Sequence, residues 1–213
     1  MKYSSFALYL VSASLAKAQT SEPYYNETSA PFHLLITSED GSINTTSGAC
    51  HTGAALESLC LSDSNTTSKP NPIDGAVFYF NTSVYSQEPA PGLGKPGILT
   101  WILPGSNIGP IPSSVFFSYD PTTDITLPIL QPGSDRSQSL AFDSDDKLTV
   151  QGYIDWTADP PSGANGVWKN YYRWFACKTY YSGYQYENLA WALGSDKPEN
   201  PTCVAVNVTR SFI

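Results

Sequence analysis

No stretch of this chain keeps apolar residues at helical spacing for more than a turn or two. What recurs is a short run of β-branched and aromatic residues closed by Gly, Pro, Asn, Asp or Ser. That rhythm predicts strands joined by turns. Runs of this kind fall at 32–37, 76–80, 98–103, 114–119, 125–130, 139–142, 147–150, 172–181, 184–193 and 203–212. In the last, Val204, Val206 and Val208 share one face while Asn207 falls on the other, the alternation of a half-buried strand. Residues 139–150 read as a hairpin turning at Asp143-Ser144-Asp145-Asp146, and Ser182-Gly183 reads as a second turn. The expected fold is all-β, a single compact antiparallel β-sandwich or barrel with long Pro/Gly loops and little helix. A trefoil-like arrangement is compatible, although no strict repeat is visible.

The segment 50–61 is ambiguous, because Ala55, Leu56 and Leu59 also suit a short helix. A continuous helix from 50 to 60 would hold Cys50 and Cys60 about 15 Å apart, and a disulfide needs their Cα atoms at roughly 4.4–6.8 Å. An irregular loop or bent strand is the better reading. Residues 42–47 read as a turn, 63–72, 86–97 and 155–170 as loops, and 19–30 as a loose N-terminal arm.

Residues 1–18 have the form of a signal peptide. Lys2 precedes a short apolar stretch, 6–15, and Ala16-Lys17-Ala18 is a cleavage site of the A-x-A kind. The stretch is too short to span a bilayer, no later one is apolar enough, and the C-terminal residues do not resemble a glycolipid-anchor signal. Residues 31–213 are then long enough for one domain with its own core. An oxidising compartment makes four cysteines, Cys50, Cys60, Cys177 and Cys203, a disulfide framework with three connectivities, of which sequence proximity favours Cys50–Cys60 with Cys177–Cys203. Their spacing is unlike a zinc site, and no metal or other cofactor is expected. Five N-x-S/T sequons, at Asn26, Asn44, Asn65, Asn81 and Asn207, mark expected surface and expected glycans.

The chain carries a net charge of −8. Removing residues 1–18 takes Lys2 and Lys17 and no acid, leaving −10. Such a protein is poorly suited to phosphate backbones, so nucleic acid is not an expected partner.

Ten aromatic residues crowd between Trp168 and Trp191. Strands alternate faces, so these rings cannot all enter one core. Exposed Trp and Tyr stack on the apolar faces of sugar rings, with Asp155, Asn170, Glu187 and Asn188 at hand for the hydroxyls. Trp168, Tyr172, Trp174, Tyr184 and Tyr186 are therefore candidate ligand-binding residues, against the plainer reading of cross-strand pairing within a sheet. Residues 143–146 resemble the opening of a calcium loop but lack its later Gly and Glu, having Leu148 and Ile154 there, and read better as a turn. Neither His33 nor His51 accompanies a nucleophile elbow. Nineteen acidic residues do not single out a glycosidase pair. No catalytic residue is assigned.

Several blocks carry a resemblance: Leu140-Ala141-Phe142-Asp143, Trp174-Phe175-Ala176-Cys177, Gly183-Tyr184-Gln185-Tyr186, Leu189-Ala190-Trp191 and Asn200-Pro201-Thr202-Cys203. Upstream, Cys50-His51-Thr52-Gly53-Ala54-Ala55 and Leu59-Cys60 join them. Together they resemble a fungal-specific secreted domain of unknown function. The last 75 residues or so are more distantly similar to phialide-type fungal cell-wall proteins. The resemblance implies an extracellular or wall-associated fungal glycoprotein, and it transfers no catalytic residue. The leading expectation is a non-enzymatic secreted or wall-associated glycoprotein whose aromatic face offers a place for cell-wall polysaccharide or another glycan; a small secreted hydrolase acting on polysaccharide and an effector binding a host protein are the competing ones.

Overall fold

The structure is a computed structural model that describes residues 24–62, 76–105, 109–164 and 166–213. The expected signal peptide and Asn65 lie outside them. Among the described residues there are fourteen strands and no helix, as the turn-punctuated pattern requires.

Eleven strands form one sheet: β1 (Glu27–Thr28), β2 (Phe32–Ser38), β3 (Asn44–Gly53), β4 (Leu56–Leu61), β5 (Phe78–Thr82), β6 (Ile98–Leu103), β7 (Ile111–Tyr119), β8 (Ile125–Pro132), β12 (Trp174–Tyr181), β13 (Tyr184–Ala192) and β14 (Val204–Phe212). Their order is β1-β5-β6-β7-β8-β13-β12-β14-β2-β3-β4, with every strand pair antiparallel. The sheet closes on itself in a barrel-like way. The free edge of β4 meets β8 through Glu57 and Ser58 and meets β13 through Cys60, while β2 also pairs with β5 through Phe32 and Phe78. A smaller sheet of β9 (Ala141–Phe142), β10 (Leu148–Gly152) and β11 (Lys169–Tyr171) packs on the inner side of the ring, where Leu140, Phe142 and Leu148 join the main core.

Alternation decides which side chains fill that core. Phe32, Leu34 and Ile36 of β2, Trp174 and Ala176 of β12, Leu189 and Trp191 of β13, and Val206 and Val208 of β14 point inward. The intervening residues of β7, β8, β12 and β13 form a second apolar cluster on the outer face, with Phe116, Leu127, Ile129, Ala190 and the Cys177–Cys203 disulfide. Val204 is exposed, so the inward valine stripe of the last strand begins only at Val206.

Both disulfides join the nearest cysteines. Cys177 and Cys203 lie across the β12–β14 pairing, which runs on through Ala176 opposite Val204. Cys50 and Cys60 bridge a regular hairpin of β3 and β4, in which Cys50 is opposite Ser58. Segment 50–61 is thus neither an irregular loop nor one bent strand. The chain turns at Ala54-Ala55, with Ala55 at φ 57°, and a ladder of small and polar residues follows. The turn expected over 42–47 is shorter than that: Asn44 already opens β3. Part of the arm is also tied down. Glu27 and Thr28 pair with β5, and Ser29 donates its backbone N–H to the Phe80 carbonyl at 3.0 Å.

The two expected hairpins form where their turn residues stand. Ser182 and Gly183, at φ 50° and 89°, make a two-residue turn between β12 and β13. Asp143 Oδ1 accepts the backbone N–H of Asp145 at 2.9 Å and of Lys147 at 2.8 Å, so its carboxylate organises the β9–β10 turn.

Candidate glycan-binding surface

The clearest exposed aromatic surface stands on the small inner sheet. β10 and β11 pair through Val150–Tyr171, Gln151–Asn170 and Gly152–Lys169, and the chain between them, 153–168, is thrown outward. An Asp155–Ser162 bridge, with N–H to carbonyl distances of 3.1 and 3.3 Å, closes its neck. Asp155 Oδ1 takes the N–H and hydroxyl of Thr157 at 3.0 and 2.7 Å, and these bonds hold the Asp155 carboxyl below its ordinary range. Two glycines let the segment fold back on Tyr153. A methyl group on Gly166 would sit 1.8 Å from the Tyr153 carbonyl oxygen, and one on Gly163 would sit 2.8 Å from the Tyr153 ring.

This packing sets the rings in place. Tyr153 and Trp168 lie with centroids 4.8 Å apart and planes inclined by 38°, each 41% exposed. Trp156, on the same segment, is 75% exposed, and Val167 is exposed beside Trp168. Exposed apolar surface of this kind is what interaction sites commonly present.

Tyr172 belongs to the adjoining edge and is about half exposed. Its hydroxyl donates to Asp143 Oδ2 at 2.7 Å. Partial burial, and then that bond to the carboxylate, push the pKa of the phenol above its ordinary value. Asn170 Nδ2 donates to the Leu93 carbonyl at 3.2 Å, and Gln151 Nε2 donates to the same carbonyl at 2.8 Å and to that of Gly94 at 3.0 Å. The platform is thereby moored to the 90–95 loop.

The five sequence candidates therefore separate. Trp168 and Tyr172 are accessible and flank the two ends of β11. Trp174 is not a surface residue. It is 2% exposed, packs edge-on to Trp191 at 4.9 Å, and donates its indole N–H to the Leu148 carbonyl at 2.7 Å. Tyr186 is likewise interior, with its hydroxyl donating to the His51 carbonyl at 2.8 Å. Tyr184 is partly buried at a third place, stacked on Tyr186 at 6.1 Å and edge-on to His51 at 5.4 Å. Strand alternation and the β12–β13 turn scatter a run that is continuous in sequence. Tyr153 and Trp156, absent from the sequence candidates, carry a signal that was available: aromatic residues flanking a Pro/Gly-rich loop have no core to enter.

Two other places carry polar chemistry. His51 Nδ1 lies 3.4 Å from Glu57 Oε1, across the β3–β4 hairpin. Burial pushes the Glu57 carboxyl above its usual range, and His51 opposes that in part. A cleft of about 430 Å³ is lined by Thr28, Glu88, Lys95, Asp143 and Arg210, but its acids are already engaged: Glu88 accepts the Gly94 N–H and Asp143 holds its turn. On the outer face of the main sheet, a groove of similar volume is lined by Tyr119, Leu127, Lys178, Tyr180 and Asn200.

No curated protein and no solved structure is detectably similar to this chain. A family model does match, over residues 29–212, from the residue after β1 almost to the last residue. The chain belongs to the family described as the domain of unknown function DUF7907.

Proposed function

We propose that the protein is an exported, N-glycosylated, non-enzymatic domain that binds polysaccharide of the fungal cell wall or its surroundings through Tyr153, Trp156 and Trp168. The observation that carries this reading is the exposed Tyr153–Trp168 pair with Trp156 on one moored segment. A large apolar side chain left in water forgoes roughly 1.5–3 kcal/mol of burial, so these exposed rings suit an apolar face that arrives from outside. Pyranose rings present one, and their hydroxyls would find Asp155 and Lys169 at the rim. Export is supported by the form of residues 1–18 and by two disulfides, which suit an oxidising compartment. The fungal and wall setting rests on the sequence resemblance.

The test is co-sedimentation of the purified protein with insoluble β-glucan, chitin and mannan, followed by affinity electrophoresis in soluble fragments. Trp156→Ala and Trp168→Ala should each weaken binding roughly ten-fold or more, about 1.4 kcal/mol, with unchanged Tm. Tyr180→Ala, in the outer groove, should bind normally. Binding indifferent to both tryptophans would refute the platform. Polysaccharide turnover abolished by an acidic substitution would instead establish a hydrolase.

A further inference from the structure

We infer that Asn44 and Asn207 carry a matched pair of N-linked glycans on one outer face of the barrel, and that Asn81 carries none. The inference rests on the export reading above and goes beyond it in assigning which sequons are used. The argument is one of register. Asn207 of β14 lies opposite Thr37 of β2, and Thr37 lies opposite Asn44 of β3. One step along, Thr209 lies opposite Leu35, and Leu35 opposite Thr46. Thr46 and Thr209 are the hydroxyl residues of the same two sequons. Both sequons therefore run in the same direction, level with one another, on either side of β2. Directly opposed residues share a face. This is the outer one, since Ile36, Val206 and Val208 point into the core while Asn44 and Asn207 are exposed. Two strand spacings put the asparagines about 10 Å apart. Glycans there would stand side by side over Leu35 and close that face to contact with other proteins.

Asn81 is placed differently. Its Nδ2 donates to Thr28 Oγ1 at 3.1 Å and its Oδ1 accepts from Thr100 Oγ1 at 2.7 Å. The amide is thus the tie between β1, β5 and β6. The third residue of its sequon, Ser83, is buried, with its hydroxyl accepting the Tyr85 N–H at 3.2 Å. A sugar on Asn81 Nδ2 would replace one of its two hydrogens and crowd Thr28, which pairs there and takes the Nδ2 hydrogen bond.

The experiment is secretion of the full chain from a glycosylating eukaryotic host. Peptide mass spectrometry then follows, with glycan release by a peptide N-glycanase in heavy-oxygen water, which hydrolyses each glycosylated side-chain amide to a labelled carboxylate and so marks the formerly occupied asparagine. Occupancy is expected at Asn44 and Asn207 and not at Asn81. Asn44→Gln and Asn207→Gln should each remove one glycan from the intact mass, and the double variant two. Label at Asn81 comparable to that at Asn44 and Asn207, or variants showing that Asn44 and Asn207 are never occupied together, would overturn the inference. Unmodified protein in the medium would overturn it while leaving export standing, whereas protein retained in the cell with residues 1–18 attached would overturn both.

Discussion

Trp174 stands among ten aromatic residues within a 24-residue window, and its ring is nevertheless enclosed by Trp191, Phe117 and the β10 backbone. Its neighbours in sequence could not reveal this, because inward and outward positions alternate and the direction of the first residue is set by distant partners. Trp174→Ala should cost about 3–5 kcal/mol in urea unfolding. Trp174→Phe should cost about 1–3 kcal/mol, since it keeps most of the packing but strands the Leu148 carbonyl. If Trp174→Ala weakened polysaccharide binding at unchanged stability, the interior placement would be refuted. Glu57 offers a second measurement. Because burial raises its folded-state pKa, the folded protein holds this proton more tightly than the unfolded chain does. The group therefore costs nothing below its ordinary value of 4.5, and it costs stability as pH rises through the raised value. Glu57→Gln should accordingly be more stable than the parent at pH 7 and equal to it near pH 3.5. A loss at pH 7 would mean that the His51 contact outweighs desolvation.

At the scale of elements, strands rich in β-branched and aromatic residues were legible, and their turns with them. β2, β6, β12, β13 and β14 lie within a residue or two of where alternation places them. β3 and β4 were not legible. Asn44-Thr45-Thr46-Ser47-Gly48-Ala49 offers little apolar periodicity, and β4 is held by the sheet edge it meets, Glu57 and Ser58 against Ile129 and Leu130 and Cys60 against Asn188. Pairings of that range leave no local mark. Segment 153–168 was legible as a loop but not as a surface that presents Tyr153 and Trp168, since Gly163 and Gly166 yield space to Tyr153. Gly166→Ala should therefore lower polysaccharide affinity roughly ten-fold with little change in Tm, because the clash with the Tyr153 carbonyl displaces Trp168 while the main barrel is untouched. Calorimetric titration with a soluble oligosaccharide would measure both the affinity and any change in enthalpy.

For the whole molecule, the two cross-links were readable from cysteine spacing, whereas closure of the sheet was not. By loop-entropy reasoning the 10-residue and 26-residue separations are worth about 2.7 and about 3.5 kcal/mol. Their sum is comparable to the entire stability of an ordinary domain. Reduction, or expression in a reducing cytoplasm, should lower the urea midpoint sharply or abolish the cooperative transition. Far-ultraviolet dichroism of the oxidised protein should show strand and no helical minimum. A reduced sample with an unchanged midpoint would remove the disulfides from the account of stability.

The pairing of β2 with β14 joins His33 to Ser211 and Phe32 to Phe212, almost end to end along the chain. A ribosome that has made all but the final strand holds a polypeptide whose first long strand has an unsatisfied edge and a row of greasy side chains in search of cover. The barrel cannot close until residues 204–212 have been made, because they supply the strand that covers this edge. A stop codon anywhere before residue 204 would leave a barrel lacking its last stave, a product fit for degradation rather than delivery.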